Sequence, residues 1–335
     1  MRQSNKNPFP LFILLAMMLA GCSGDAPEVV AEPSTPKPVV SPDDGEIRFK
    51  VGTEWQGKGD TRALLFADAD ALVTEGSFKV YAYVGTTTNA HINGSTASYS
   101  EGEWVFTDGK HYWPQSESLN FVTYMPATAP DYITNIDYNS DNGPSFDCTN
   151  LPNNSTNQAS TKEFLYAYER GKTKAADAAN MSLTFHRPFS IVSLRLSKAH
   201  PGLTITSIKF KNIYNNGSFT YGSSPQWTPT GDLTDFTATI DSYTNSGSSP
   251  IPLGGPYLMM PQSFAGGQQT IEITATCSAW DPTSQTISIS FPIEAWLPGQ
   301  SYSYNISISG ATMTVSISNW SSDNSWADPN ASFVL

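Results

Sequence analysis

Cys22 is the residue best placed for chemistry, because it closes the run Leu19-Ala20-Gly21-Cys22 at the end of an apolar stretch from Phe9 to Ala20. Small residues directly ahead of a cysteine suit a peptidase that cuts once the thiol has been acylated, so Cys22 is the expected lipidation site. Arg2 and Lys6 supply a basic start, and the apolar run falls short of the roughly 18–20 residues that span a bilayer. Residues 1–21 therefore read as a lipoprotein signal peptide. Acyl chains on Cys22, at about 0.8 kcal/mol per buried methylene, then anchor the protein without a transmembrane helix.

Other reactive side chains show little organisation. His91, His111, His186 and His200 have no metal-ligand spacing, and none falls in a His-Glu-x-x-His pattern. Asp137, Asn139 and Asp141 have the spacing that opens a calcium loop, but Asn142 stands where that loop needs Gly and Cys148 where it needs Glu. The sequence reading is a polar surface loop. Asp68 with Asp70, and Glu101 with Glu103, are paired carboxylates of the kind glycosidases use, yet neighbours two apart on a strand normally just face solvent. No Gly-x-Ser-x-Gly elbow or phosphate-cradling loop occurs. No catalytic residue, metal ligand or cofactor is assigned, and an enzyme is not expected. Trp227, Trp280 and Trp326 are the aromatic residues that would stack on sugars if exposed, with core packing as the default.

The elements that must position these residues follow from composition and period. Loss of Arg2 and Lys6 with the signal lowers the formal charge from −12 to about −14, which argues against nucleic acid as a partner. Cys148 and Cys277 are too few and too far apart for a disulfide framework and read as two buried thiols. Residues 22–45, with Pro33, Pro36, Pro38 and Pro42, form a proline-rich tether. Beyond it, apolar and polar residues alternate in short runs. Ile47, Phe49 and Val51 share one face of a predicted strand, and Phe78, Val80, Ala82 and Val84 share one face of another. Similar runs recur to Met313–Ile317, bounded by turns such as Asn93-Gly94, Asp108-Gly109 and Pro298-Gly299. The expectation is an all-β chain of sandwich or barrel class. Short helices between strands, for example within Gly171–Ala179, are compatible with it. Pro188 interrupts two alternating runs, so the domain junction is placed there, giving domains 46–188 and 189–335.

Several segments form a series when taken in order: the cysteine-terminated signal, the tether, Thr61-Arg62-Ala63, Phe78-Lys79-Val80-Tyr81-Ala82-Tyr83, Tyr112-Trp113-Pro114 and Tyr124-Met125-Pro126. Thr184-Phe185-His186-Arg187-Pro188, Leu258-Met259-Met260-Pro261-Gln262, Trp296-Leu297-Pro298-Gly299-Gln300 and Asn319-Trp320 continue it. In this order they resemble the fimbrillin-like lipoprotein pilins of Bacteroidetes. The resemblance implies two tandem transthyretin-like Greek-key β-sandwich domains in a surface pilus subunit, located at the outer membrane and then in the fimbrium. It also implies cleavage after Arg62, with Ala63 as the new amino terminus, and loss of the strand bearing Ile47, Phe49 and Val51. Other pilus subunits are then partners by donor-strand exchange, and a host protein or glycan is the candidate adhesion ligand. The apolar carboxyl terminus, Phe333, Val334 and Leu335, is the candidate donor segment. The alternative reading is a surface glycan-binding lipoprotein that does not polymerise.

Overall fold

The computed structural model describes residues 45–320 except 54–65, 67–68, 89, 140–141, 179–180, 200–201, 241–250, 281 and 310–311. The expected lipidation site Cys22, the expected cleavage site at Arg62 and Ala63, and the candidate donor residues Phe333, Val334 and Leu335 lie outside the described residues.

Where apolar and polar side chains alternate, strands form. The first half contains β1 (Phe49–Thr53), α1 (Ala69–Glu75), β2 (Ser77–Val84), β3 (Ala90–Ser100), β4 (Glu103–Phe106), β5 (Leu119–Met125), β6 (Ile133–Asn139), β7 (Gly143–Cys148), α2 (Ser155–Gln158), β8 (Leu165–Lys172), α3 (Lys174–Asp177) and β9 (Met181–Phe185). Seven of these strands make one sheet in the order β8-β5-β2-β3-β4-β1-β9. Phe78, Val80 and Ala82 turn inward from β2, as their spacing predicts. Every residue of β5 is buried, because that strand is covered on both faces. The sheet curls until its edge strands meet, where Tyr166 and His186 exchange two backbone hydrogen bonds of 3.1 and 2.7 Å. The enclosed core holds Phe49, Phe78, Trp104, Phe121 and Phe185. Its rings meet edge-on or tilted, with Phe78 5.5 Å from Phe49 and 5.6 Å from Phe185.

The second half contains β10 (Ser190–Ala199), β11 (Leu203–Ile213), β12 (Asn216–Thr220), β13 (Gln226–Thr230), β14 (Thr234–Ala238), β15 (Ile251–Met259), β16 (Gln262–Ser263), β17 (Thr270–Cys277), β18 (Ser284–Ser290), β19 (Ala295–Trp296), β20 (Ser301–Ser309) and β21 (Thr312–Trp320). Two four-stranded sheets, β15-β10-β20-β21 and β14-β11-β17-β18, supply the walls of a second core around Phe210, Tyr257, Trp296 and Tyr304. Strand β17 shows the sandwich pattern residue by residue: Ile271, Ile273, Ala275 and Cys277 are buried, while the residues between them are partly exposed.

A third four-stranded sheet, β13-β12-β7-β6, takes strands from both sides of Pro188. Phe146 of β7 lies opposite Phe219 of β12, their rings stacked at 4.6 Å. The Gln158 side chain adds a buried polar link: its amide nitrogen donates to the Leu258 and Pro152 carbonyls at 2.6 and 3.1 Å, and its oxygen accepts from the Leu258 N–H at 2.9 Å. Gly143 opens β7 with φ +77°, and a Cβ there would come within 2.8 Å of Tyr221 and 2.9 Å of Tyr168. Only glycine fits that turn.

Cys148 and Cys277 are buried, not joined by a disulfide, and in different cores. Burial pushes the Cys148 thiol up to about 12, so almost none of it is thiolate at neutral pH. Iodoacetamide at neutral pH is therefore expected to label neither residue in the folded protein and both after unfolding without reductant. One peptide carrying both cysteines in a crosslink would contradict this.

Candidate functional site

Strand β1 is the element that the sequence reading marked for removal, and it occupies an interior position in its sheet. On one side it runs parallel to β9, with Phe49 opposite Met181, Val51 opposite Leu183 and Thr53 opposite Phe185. On the other side it lies antiparallel to β4, with Phe49 opposite Trp104. The residues just upstream extend the pairing, because the Ile47 N–H donates to the His111 carbonyl at 2.8 Å and the Trp113 N–H to the Gly45 carbonyl at 2.8 Å. Glu46 binds Lys110 at 2.7 Å and Arg48 at 3.0 Å, holding this segment at the protein surface.

Ile47 and Phe49 are buried, at 1% and 4% exposure, whereas Val51 is only half-buried. Val51 packs against the same core as these two but stays partly exposed. Each fully buried anchor is worth about 1.5–3 kcal/mol as an upper estimate. Phe49 packs edge-on against Phe78, Phe106 and Phe121, at 5.5, 5.3 and 6.2 Å.

The other candidates do not converge on a reaction centre. His91 is exposed, with its ring 2.8 Å from the Tyr112 carbonyl. His186 packs its ring on Tyr166, and His200 lies outside the described residues. Among the described residues, no group of three or more His, Cys, Asp or Glu gathers in a way that would hold a metal ion. Asp68 and Asp141 also lie outside the described residues, Asp70 sits in the first turn of α1, and Glu103 faces Arg48 at 3.6 Å.

Sequence reasoning missed a constellation of Ser95, Asp108 and His111. The Ser95 hydroxyl donates to Asp108 at 2.7 Å, and His111 Nε2 lies 3.0 Å from Asp108 and 3.3 Å from Ser95. A hydrolytic relay needs the two imidazole nitrogens to serve different partners, one the acid and one the nucleophile. Here a single nitrogen meets both, so the trio is a structural knot. Burial pushes the Asp108 carboxyl up, but its hydrogen bonds to Ser95 and His111 and the His111 charge outweigh that and hold it below its ordinary value. The trio braces the loop whose backbone pairs with Ile47.

The tryptophans proposed for sugar stacking are engaged elsewhere. Trp227 packs on Phe146, Phe189 and Phe219 and donates its indole N–H to the Pro188 carbonyl at 2.6 Å. Trp280 packs against the second-half core, and Trp326 lies outside the described residues. Tyr81 and Tyr138 stack face to face at 3.5 Å, using on each other the faces a sugar would need.

The profile of the fimbrillin-like family matches residues 61–320. The chain belongs to the fimbrillin-like family. This fimbrillin-like protein also shares its fold with solved structures. A fimbrial protein from Bacteroides vulgatus superposes with a TM-score of 0.59 at 13% identity, covering 82% of this chain and 99% of that one. A candidate cell adhesion protein from Bacteroides uniformis gives 0.50 at 16% identity, covering 84% and 100%. No curated protein matches the chain by sequence. Membership assigns the fimbrillin-like chain, at the coarse level, to the fimbrial and adhesion subunits of the cell surface. Among the described residues no helix is long and apolar enough to cross a membrane.

Proposed function

We propose that this fimbrillin-like protein is a structural, non-catalytic subunit of a surface pilus, assembled by exchange of β1 for a strand of another subunit. In this reading Cys22 carries the lipid that holds the precursor at the outer membrane. A trypsin-like protease cuts after Arg62, Ala63 becomes the amino terminus, and the Phe333-Val334-Leu335 segment of a neighbour is the candidate donor. Residues 46–188 and 189–335 are the two sandwich domains, and their transthyretin-like Greek-key connectivity belongs to the same proposal.

The position of β1 supports the reading. It is contributed from upstream of Arg62, yet it sits between β4 and β9 rather than at a sheet edge. Its loss exposes the edges of both strands and the pockets of Ile47 and Phe49 together. Such a gap favours addition of an extended strand with apolar side chains at alternate positions. Domain stability is typically about 5–15 kcal/mol, so losing two core anchors and two ladders leaves a substantial drive to refill the gap.

The test is treatment of purified precursor with a trypsin-like protease, followed by mass mapping of the amino terminus and light scattering. The expected result is loss of residues up to Arg62 and growth in size. Arg62→Ala should abolish both, and truncation after Asn330 should permit the cut but block growth. A cut protein that stays monomeric at high concentration would sink polymerisation, and resistance of Arg62 in the folded protein would sink the processing step.

A further inference from the structure

Strand β9 has a single ladder partner in its sheet, and that partner is β1. On its other flank, beyond its carboxyl end, it is tied to β8 by the Tyr166–His186 backbone pair. Removal of β1 therefore strips β9 of its ladder and leaves it to that pair and to whatever else is fastened nearby. What is fastened there is an ion pair inside the protein. Glu163, ahead of β8, and Arg187, just after β9, are 1% and 9% exposed at the side chain, with Arg187 Nε 2.6 Å from Glu163 Oε1. The same two side chains hold both backbone polar groups of Phe66. Glu163 Oε2 accepts from the Phe66 N–H at 2.9 Å, and Arg187 Nη2 donates to the Phe66 carbonyl.

This arrangement joins the start of β8, the end of β9 and the chain downstream of Arg62 at one point. Burial raises the Glu163 carboxyl above its ordinary value, against the opposing effects of the Arg187 charge and of hydrogen bonds from Arg187 and Phe66. Burying such a pair is costly, and well-packed apolar residues often serve stability as well or better. Its value then lies in fixing positions rather than in net stability.

We propose that Glu163 and Arg187 form a staple that keeps β9 and the chain at Phe66 in place once β1 has gone, so the gap beside β4 stays one strand wide. While β1 is present the staple is redundant for β9, because the ladder from Phe49–Met181 to Thr53–Phe185 holds that strand. After β1 leaves, β9 keeps the core packing of Met181, Leu183 and Phe185, and the staple and the Tyr166–His186 pair tie its carboxyl end to the start of β8. The inference rests on the strand-exchange reading, and both residues act by positioning.

The test uses the full chain with a recognition site for a specific protease placed within 54–60, so that β1 is removed whether or not Arg62 is cut. The probe is a labelled synthetic peptide copying residues 45–53 of this chain. The variants are Glu163→Leu with Arg187→Met, which leaves no orphan charge, and Glu163→Gln, which keeps the shape and an acceptor for Phe66. Hydrogen exchange at His186 is read before and after cutting, and peptide affinity by fluorescence anisotropy afterwards. Uncut, all three proteins should protect His186 alike. Cut, the double variant should lose protection and peptide affinity by about tenfold or more, the scale of a lost charge-assisted hydrogen bond, with Glu163→Gln between it and wild type. Equal protection and affinity in cut wild type and cut double variant would overturn the staple. Loss of His186 protection in cut wild type would overturn it too. If the double variant does not fold, the same comparison with Glu163→Gln decides. Failure of Arg62 cleavage or of polymer growth would count against the strand-exchange reading alone.

Discussion

Phe49→Ala is expected to destabilise the uncut protein by about 3–5 kcal/mol and to have no effect on the cut protein. The first half follows from the Phe49 site. Its ring is buried and meets Phe78, Phe106 and Phe121 edge-on, all on rigid strands or packed against them, so the cavity cannot collapse. For a unit of this size each kcal/mol moves the unfolding midpoint by about 2–4 °C, so the uncut variant should melt roughly 10 °C lower. The second half follows from covalent connectivity, because Phe49 departs with β1. Calorimetry on both proteins, before and after protease treatment, reads the difference. A variant effect that survives cutting would mean that β1 stays bound as a nicked strand, and exchange would then have to displace it.

Trp296→Ala is expected to cost a similar 3–5 kcal/mol, but equally in the cut and uncut forms. Trp296 is buried at the centre of the second-half core, with Phe264, Phe291 and Phe210 edge-on at 4.9, 5.3 and 5.7 Å. Its indole N–H donates to the Tyr304 hydroxyl at 3.0 Å. The substitution leaves both a cavity and a buried hydroxyl without its partner, which adds to the loss of apolar contact. Trp296→Phe keeps much of the volume and loses the N–H, so it should fall well short of the alanine cost. Denaturant unfolding gives both values. A Trp296→Ala cost that vanished after cutting would show that the second half is reorganised when β1 leaves, contrary to its placement outside that strand's core.

Which stretches become strands, and which of their faces turns inward, was largely legible in the sequence. The run from Phe78 reads as a strand and is most of β2, because a two-residue period with one apolar face has a single good solution at a sheet surface. The stretch Gly171–Ala179, where the pattern left room for a short helix, contains α3. Helix α1 escaped because seven residues give too little periodicity. The hairpin of β6 and β7 escaped for another reason. Its stretch from Asp137 is polar enough to read as a loop, and β7 is completed by β12, a partner from the other half of the chain. Ile47 and Phe49 announced a strand, but nothing local says that it runs parallel to β9, because such pairing depends on loops closing around it. The staple is the extreme case. Glu163 and Arg187 look like ordinary surface charges in one dimension, and only the curling of the sheet brings the start of β8, the end of β9 and Phe66 to one buried point. Short-range alternation determined the strands and the buried faces. Long-range closure of the sheet decided which strand fills the gap and which charges hold its sides, because those pairings are set by the path of the whole chain.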